Sequence, residues 1–471
     1  MVDNEQSTIS RRQLLKSSAK VAGITAATLA FTGLGLSEYP FGPEAAFAFG
    51  VSSGFGFEPW HQMVIAARVE PPPGRPNCTA RWFVYHDPDG RQLVDHPSAR
   101  GEVDASFVND FQVRATIEGL DSKRAYYYRW EQVIDGKVRA SSQIARTKTA
   151  PKPWEPEAPI RIAAFSCQNW SHGYYHAHRA IAEDDSIDVV VQLGDYVYAD
   201  VDDRIAAILL GYPRKDPTSS ANTLEEYRYK YRWYRTDQHL RAAHAAHPWI
   251  VMYDDHELWN DVDGVDLLRN PTRAAAAKQA WWEAMPMAHF RTSDQLYRRI
   301  PWGRDLSLTV LDSRTYRVGD DMWGKDQRAF LHRNDERQEI ILNGTLVPPN
   351  AGLEQLVRNA VVVTGDNHHQ GANSERYGMQ VMAGAATSRA STDGTIERQM
   401  EYVSRARGYT VIDVLPDEGV RTTFMSGDVE RARADMQPRL VLEAEFGTWN
   451  LDRKDAGREL ASPPAGIGLG D

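Results

Sequence analysis

The stretch Ile187-Asp188-Val189-Val190-Val191-Gln192-Leu193-Gly194-Asp195-Tyr196-Val197-Tyr198 decides the fold. A short, mostly β-branched apolar run that halts at a glycine and an acid reads as a buried strand delivering a reactive turn. Immediately upstream, Ile160–Ser166 has strand character and Tyr175–Glu183 helix character, so the chain runs strand, helix, strand. This is α/β grammar. Apolar runs at Trp249–Met252, Leu306–Leu311 and Ala360–Val363 predict further buried strands, and the aromatic-rich stretch Leu224–His247 predicts helix. Tyr227, Tyr231 and Tyr234 fall at helical spacing there, which signifies core contact and carries no chemistry.

Four of these strands stop at reactive residues. Ile162–Phe165 leads to Cys167, Val189–Leu193 to Asp195, Trp249–Met252 to Asp254-Asp255-His256-Glu257, and Val361–Val363 to Asp366-Asn367-His368. Open α/β sheets bind ligands at the carboxyl ends of their strands, so the four segments are expected to converge. Asp195, Asp200, Asp202 and Asp203 form one acidic window, and Asp254, Asp255, Glu257, Asp261 and Asp263 a second, neither containing Lys or Arg. Like charges gathered at low dielectric repel unless cations neutralise them, and multivalent metals are the economical solution. Carboxylates with a phenolate and a thiolate suit a hard, highly charged ion such as ferric iron; a carboxylate-dominated set also suits calcium, and zinc or manganese stay open. Asp195 is the candidate bridging carboxylate, Tyr198 the phenolate and Cys167 the thiolate. His256 can be a ligand or the proton donor to a leaving oxygen.

The rest of the chain bounds these expectations. With 471 residues, 42% hydrophobic and 25% charged, it has length for two or more compact units, and its net charge of −10 gives no footprint for nucleic acid. Cys78 and Cys167 are the only cysteines; Cys78 reads as a small packed residue, with a Cys78–Cys167 bridge as the rival. Residues 10–16, Ser-Arg-Arg-Gln-Leu-Leu-Lys, precede a weakly apolar stretch and Ala46-Phe47-Ala48, the pattern of a twin-arginine export signal over 1–48 with cleavage after Ala48. No later stretch is long and apolar enough for a transmembrane helix. Residues 49–150 alternate short β-rich runs with turns, predicting a small β-sandwich, and Gly119-Leu120 before Tyr126 resembles the tyrosine-corner region of fibronectin-III-like modules. A proline-marked linker, 151–158, leads to the catalytic unit at 159–471. Gly50-Val51-Ser52-Ser53-Gly54 fits a nucleophile-elbow pattern but lacks its strand-to-helix setting, and Asn260-Asp261-Val262-Asp263-Gly264 fails the spacing of a calcium loop.

Seven segments in order carry a resemblance: the export signal, Phe49–Gly54, Phe165-Ser166-Cys167-Gln168, Leu193–Tyr198, Tyr253–Glu257, Leu311–Arg317 and Thr364–His368. Together they resemble the PhoD-like alkaline phosphatases of the metallophosphoesterase superfamily. In the superfamily's motif order, Cys167 stands at the first element, Asp255 replaces an asparagine and Asp366 replaces a histidine. The resemblance implies a four-layer α-β-β-α domain holding Fe3+ and Ca2+ and hydrolysing phosphoesters at alkaline pH. It implies Cys167, Asp195, Tyr198 and His368 on the iron side, Asp195 bridging, and Asp255 and Asp366 as further ligands. The reaction it implies is in-line attack at phosphorus by a metal-activated oxygen, with His256 protonating the departing alkoxide and Asn260 and Arg314 touching substrate. The expected partners are a phosphoester substrate and, during export, the Tat translocase. One departure stands out: only 47 residues separate Arg317 from Gly365, where the family usually carries a longer insertion. The alternative is therefore a catalytically impaired metal-binding exported protein, with the sandwich as an adhesion module.

Overall fold

A computed structural model describes residues 46–156, 158–201, 204–288, 295–332, 337–390, 394, 396, 398, 400–416 and 418–454. The twin-arginine run, Asp202, Asp203 and the last stretch of the expected catalytic unit, 455–471, lie outside them. Among the described residues no helix is long and apolar enough to cross a membrane.

Two sheets organise the core. The first has ten strands in the order Asp452–Lys454, Gln437–Glu445, Gly419–Ser426, Gly408–Leu415, Ile160–Phe165, Val189–Gln192, Pro248–Val251, Val51–Phe55, Met63–Arg68 and Gln112–Ile117. Its centre is parallel: Val190 faces Ala163 on one side and Trp249 on the other. Every residue of Val189–Gln192 is buried, which explains the unbroken apolar run of the sequence. The second sheet has seven strands, with Leu306–Val310, Gln338–Asn343, Ala360–Thr364 and Gly378–Ala383 as its parallel middle. Ile340, Leu342, Val361 and Val363 join the core they share with the first sheet. Their sequence neighbours Ile341 and Val362 point the other way, into a separate core with Trp323 and Leu331 of the helix Gly324–Leu331. A bridge between Ser166 and Ala385 ties the carboxyl ends of the two sheets together.

The N-terminal segment holds a five-stranded sheet in which Asn77–Tyr85 and Ala125–Ile134 are central. It shares a core with Val51, Met63, Ile65, Val113 and Ile117 of the ten-stranded sheet. The sandwich expected at 49–150 is thus not a free-standing unit. Strands on its far side continue the large sheet, with Ser53 opposite Pro248 and Gly54 opposite Trp249 in parallel register. Gly54 permits that approach, since a Cβ there would lie 2.1 Å from the Pro286 carbonyl oxygen. Alternating hydrophobicity announces a strand but not a partner some two hundred residues away, so the pairing was invisible in the sequence. Tyr126 is buried, and its hydroxyl accepts from the Asp121 N–H at 2.7 Å, a packing role.

Helices over the first sheet are locally specified. Thr223 and Glu226 form a reciprocal capping box for Leu224–Tyr234, Asp237 caps Gln238–Ala246, and Asp263 caps Gly264–Arg269 through the N–H groups of Val265 and Asp266. His244 stacks on Trp249 at 3.7 Å, and His178 lies 2.7 Å from Gln168 Oε1. Burial holds both rings neutral, lowering His178 to about 3. The unfolded chain, with histidine near its ordinary value of about 6.5, takes up the proton first, so this contribution is full above that pH and lost as pH falls. The stability difference between wild type and His178→Gln is therefore expected to change by about 1.4 kcal/mol per pH unit below 6.5. Urea midpoints between pH 5 and 8 read it; a constant difference would mean the ring titrates alike in the folded and unfolded protein.

Candidate metal centre

Parallel register sets the strand ends side by side: Gln192 pairs with Phe165 and with Val251, so the turns that follow emerge together. Those turns are strained. Cys167, Asp195, Asp366 and His368 have φ of 50°, 59°, 68° and 56°, a left-handed region that non-glycine residues adopt rarely. Such conformations persist only where the surroundings over-determine them, and they cluster at functional sites. Gly194, at φ 104°, allows the closest approach: a Cβ would stand 2.3 Å from Asp254 Cβ.

Three groups of donors result, each with ligand atoms within 4.8 Å of one another: Cys167, Asp195 and His368; Asp195, Asp255 and His256; Asp254, Asp255 and Asp366. Asp195 belongs to the first two and Asp255 to the last two, so the groups form a continuous chain of donors. Asp195 Oδ2 lies 3.2 Å from Cys167 Sγ and 3.3 Å from the Tyr198 hydroxyl, and Oδ1 accepts from the His256 N–H at 3.4 Å. The Tyr198 hydroxyl is 3.5 Å from His368 Nε2 and 2.7 Å from Ser388 Oγ. His368 Nδ1 is 2.7 Å from the Arg389 carbonyl, which places its proton there and frees Nε2 for the cluster. The His256 ring stacks on Tyr198 at 4.0 Å, and its Nδ1 is buried without a hydrogen-bond partner among the described residues. Asp255 Oδ2 accepts from the Asp261 N–H at 2.6 Å, while its buried Oδ1 makes no hydrogen bond.

The electrostatics match a site missing positive charge. Burial, then Asp255 and Asp254, push the Asp195 carboxyl well above the usual range; burial and Asp254 raise Asp366 to about 8. Burial and Asp195 raise the Cys167 thiol and the Tyr198 phenol, and burial lowers His368 to about 4. Asp255 runs against its burial: Arg314 and His256 hold it below the ordinary value. A bound multivalent cation would invert this pattern and favour the deprotonated form of each donor.

Several expectations need correction. Arg314, expected at substrate, is buried at 3% exposure and turned inward. Its Nε and one Nη reach Asp254 at 2.7 and 2.8 Å, and the same Nη lies 3.1 Å from Asp366 and 3.4 Å from Asp255. Asn260 sits exposed on the rim, its side-chain amide on Asp261 Oδ2 at 2.6 Å. Asp263 is a helix cap and Glu257 binds backbone N–H groups, so these two acids of the second window are not among the donors. The rival disulfide falls: both cysteines are free, and Cys78 belongs to the sandwich core. Sequence reasoning missed Ser388, which carries no motif signal. It underused Asp254, which adjacency to Asp255 advertised; Arg314 and Ser313 occupy its oxygens, leaving Asp255 and Asp366 the freer donors.

Sheet pair and donor set together define a metallophosphoesterase-like fold, a likeness shared with a purple acid phosphatase from yellow lupin (Lupinus luteus) seeds. That structure matches with a TM-score of 0.53 and 12% identity, over 80% of this chain and 71% of the other. A structure of PhoD matches with a TM-score of 0.77 and 24% identity, over 88% of this chain and 93% of the other. The family described as PhoD-like phosphatase matches residues 162–344, and its N-terminal domain matches residues 39–151. The chain belongs to the PhoD-like phosphatase family. A relative, alkaline phosphatase D of Bacillus subtilis (strain 168), is 27% identical over 501 residues, covering 88% of this chain and 84% of the relative. An alignment of that length exceeds this whole chain, so the relative carries segments absent here.

Proposed function

We propose that this chain is an exported, metal-dependent hydrolase of phosphomonoesters or phosphodiesters. The observation that carries the proposal is the continuous run of donors linked through Asp195 and Asp255 at the carboxyl ends of the strands. Family membership and the name of the Bacillus relative support phosphoester chemistry. The donors suit two kinds of ion. Sulfur, phenol and imidazole on the Cys167–Tyr198–His368 side suit Fe3+, with Zn2+ or Mn2+ as substitutes; the oxygen-only side of Asp255 and Asp366 suits Ca2+. The Oδ1 of Asp255, buried with no hydrogen bond and with the Arg314 guanidinium no nearer than 3.4 Å, fits this assignment, because a closely bound cation would satisfy it better. Bound ions would supply charge neutralisation at the phosphoryl oxygens and acidify water.

The chain's own residues do the rest. Asp195 holds both sides of the site in one frame. Tyr198 supports the His256 ring by stacking, and with Nδ1 enclosed the ring hands its proton to the departing alkoxide through Nε2. Asn260 stands on the rim where a substrate would enter, and Arg314 holds the carboxylates. Export rests on the Ser10–Lys16 pattern and would involve the Tat translocase. The expected linker at 151–158 and catalytic unit at 159–471 are kept. A signal ending after Ala48 is not, because Ala46 and Ala48 are buried and the Ala48 carbonyl accepts from Arg241 at 2.7 Å, and 49–150 shares its strands with the large sheet.

The test is metal analysis of the purified protein together with monoester and diester assays across about pH 7–10. The expected result is bound metal, activity on at least one class, and loss of activity on chelation. His256→Ala should slow an alkyl phosphoester by about 10²–10⁴, and a nitrophenyl ester much less, because that leaving group departs without a proton. Bound metal with both ester classes uncleaved would transfer the case to the binding-protein alternative.

A further inference from the structure

Resting on the metal-site reading above, we infer that Glu257 is a positioning residue: it locks Asp195 into its left-handed conformation and joins the two acidic turns into one frame. Glu257 is fully buried beside the donors, and its carboxyl oxygens are taken up by main-chain N–H groups. Oε2 accepts the N–H groups of Asp195 and Asp254, each at 2.9 Å, and Oε1 accepts the N–H of Tyr196 at 2.6 Å. Three main-chain donors from two turns thus end on one side chain. Those turns are the pair pressed together at Gly194 and Asp254, where no Cβ would fit.

The arrangement answers a physical question the site poses. Asp195 at φ 59° adopts an unfavourable backbone conformation that requires external restraint. Two of the three hydrogen bonds fall on Asp195 and the residue after it, so they restrain the backbone on both sides of the Asp195 Cα. In this conformation the Asp195 oxygens reach Cys167 Sγ, the Tyr198 hydroxyl and the His256 N–H together. Glu257 touches no reacting atom; its effect passes through Asp195.

Glu257→Gln keeps size and shape but puts an amide N–H₂ against a backbone N–H. A chelator-competition titration with Fe3+, Zn2+ and Ca2+ singly should show metal affinity reduced by about 10–100-fold. Activity should return as metal is raised, since the chemistry itself is intact. In an Asp195→Asn background the same substitution should cost little more, because the group it positions is already lost. Unchanged affinity in a folded Glu257→Gln protein, or an equal loss in both backgrounds, would overturn the inference. If circular dichroism shows that variant unfolded, Glu257→Asp decides: it keeps the carboxyl group and withdraws it by one methylene, so weakened metal binding supports the inference. Wild-type affinity in Glu257→Asp, or failure of both variants to fold, makes Glu257 a requirement of the fold alone. A wild-type protein that binds none of the three ions would instead sink the metal-site reading.

Discussion

Asp195→Asn is expected to lower kcat/KM by about a thousandfold or more and to leave the purified protein short of metal. The substitution is nearly isosteric, so the fold should persist. One oxygen of the carboxylate meets the thiol and the phenol while the other meets the His256 N–H, so neither is spare. An amide nitrogen in either place turns an acceptor into a donor, against an N–H group on one side or against cation-binding atoms on the other. Metal charge at a phosphoryl centre is worth several kcal/mol, and each 1.36 kcal/mol is tenfold in rate. Metal content by elemental analysis, measured beside the kinetics, separates loss of the ion from loss of chemistry. A variant with full metal and activity within tenfold of wild type would remove Asp195 from its bridging role.

Arg314→Met should act first on stability, by about 3–5 kcal/mol in metal-free protein, the usual cost of stripping a partner from a buried ion pair. Arg314 is the guanidinium that Asp254, Asp255 and Asp366 share, and its forked grip on Asp254 fixes the third donor group. Those charges raise its own pKa despite burial. Removing it leaves the carboxylates facing one another with only Ser313 donating a side-chain bond to Asp254. A guanidinium devoted to substrate would behave differently, raising KM with stability untouched. The urea midpoint therefore decides: a fall at constant slope supports the structural role, and an unchanged midpoint with higher KM restores the substrate role.

Legibility differed by residue. Cys167, Asp195, Tyr198, Asp255, His256, Asp366 and His368 were identifiable because each follows an apolar strand by only a few residues, and the carboxyl end of a parallel strand is where such sheets place chemistry. Asp263 and Glu257 shared the same acidic windows and were indistinguishable from ligands by composition. Whether an acid caps a helix, receives backbone N–H groups or meets an ion depends on which way its side chain leaves the turn. Arg314 misled for a related reason, since a basic residue at a strand end points equally well to a substrate phosphate or to neighbouring carboxylates.

By itself the sequence determined the α/β class, the strand ends and the chemical types of the donors, because hydrophobic periodicity and residue identity are local properties. Tertiary structure alone decided that the N-terminal strands complete the large sheet, that Ser388 braces Tyr198, and that Arg314 faces inward. These follow from pairings between segments separated by hundreds of positions, and from left-handed turns held by contacts outside themselves. No local signal encodes either, for the energy that fixes them exists only once the distant parts have met.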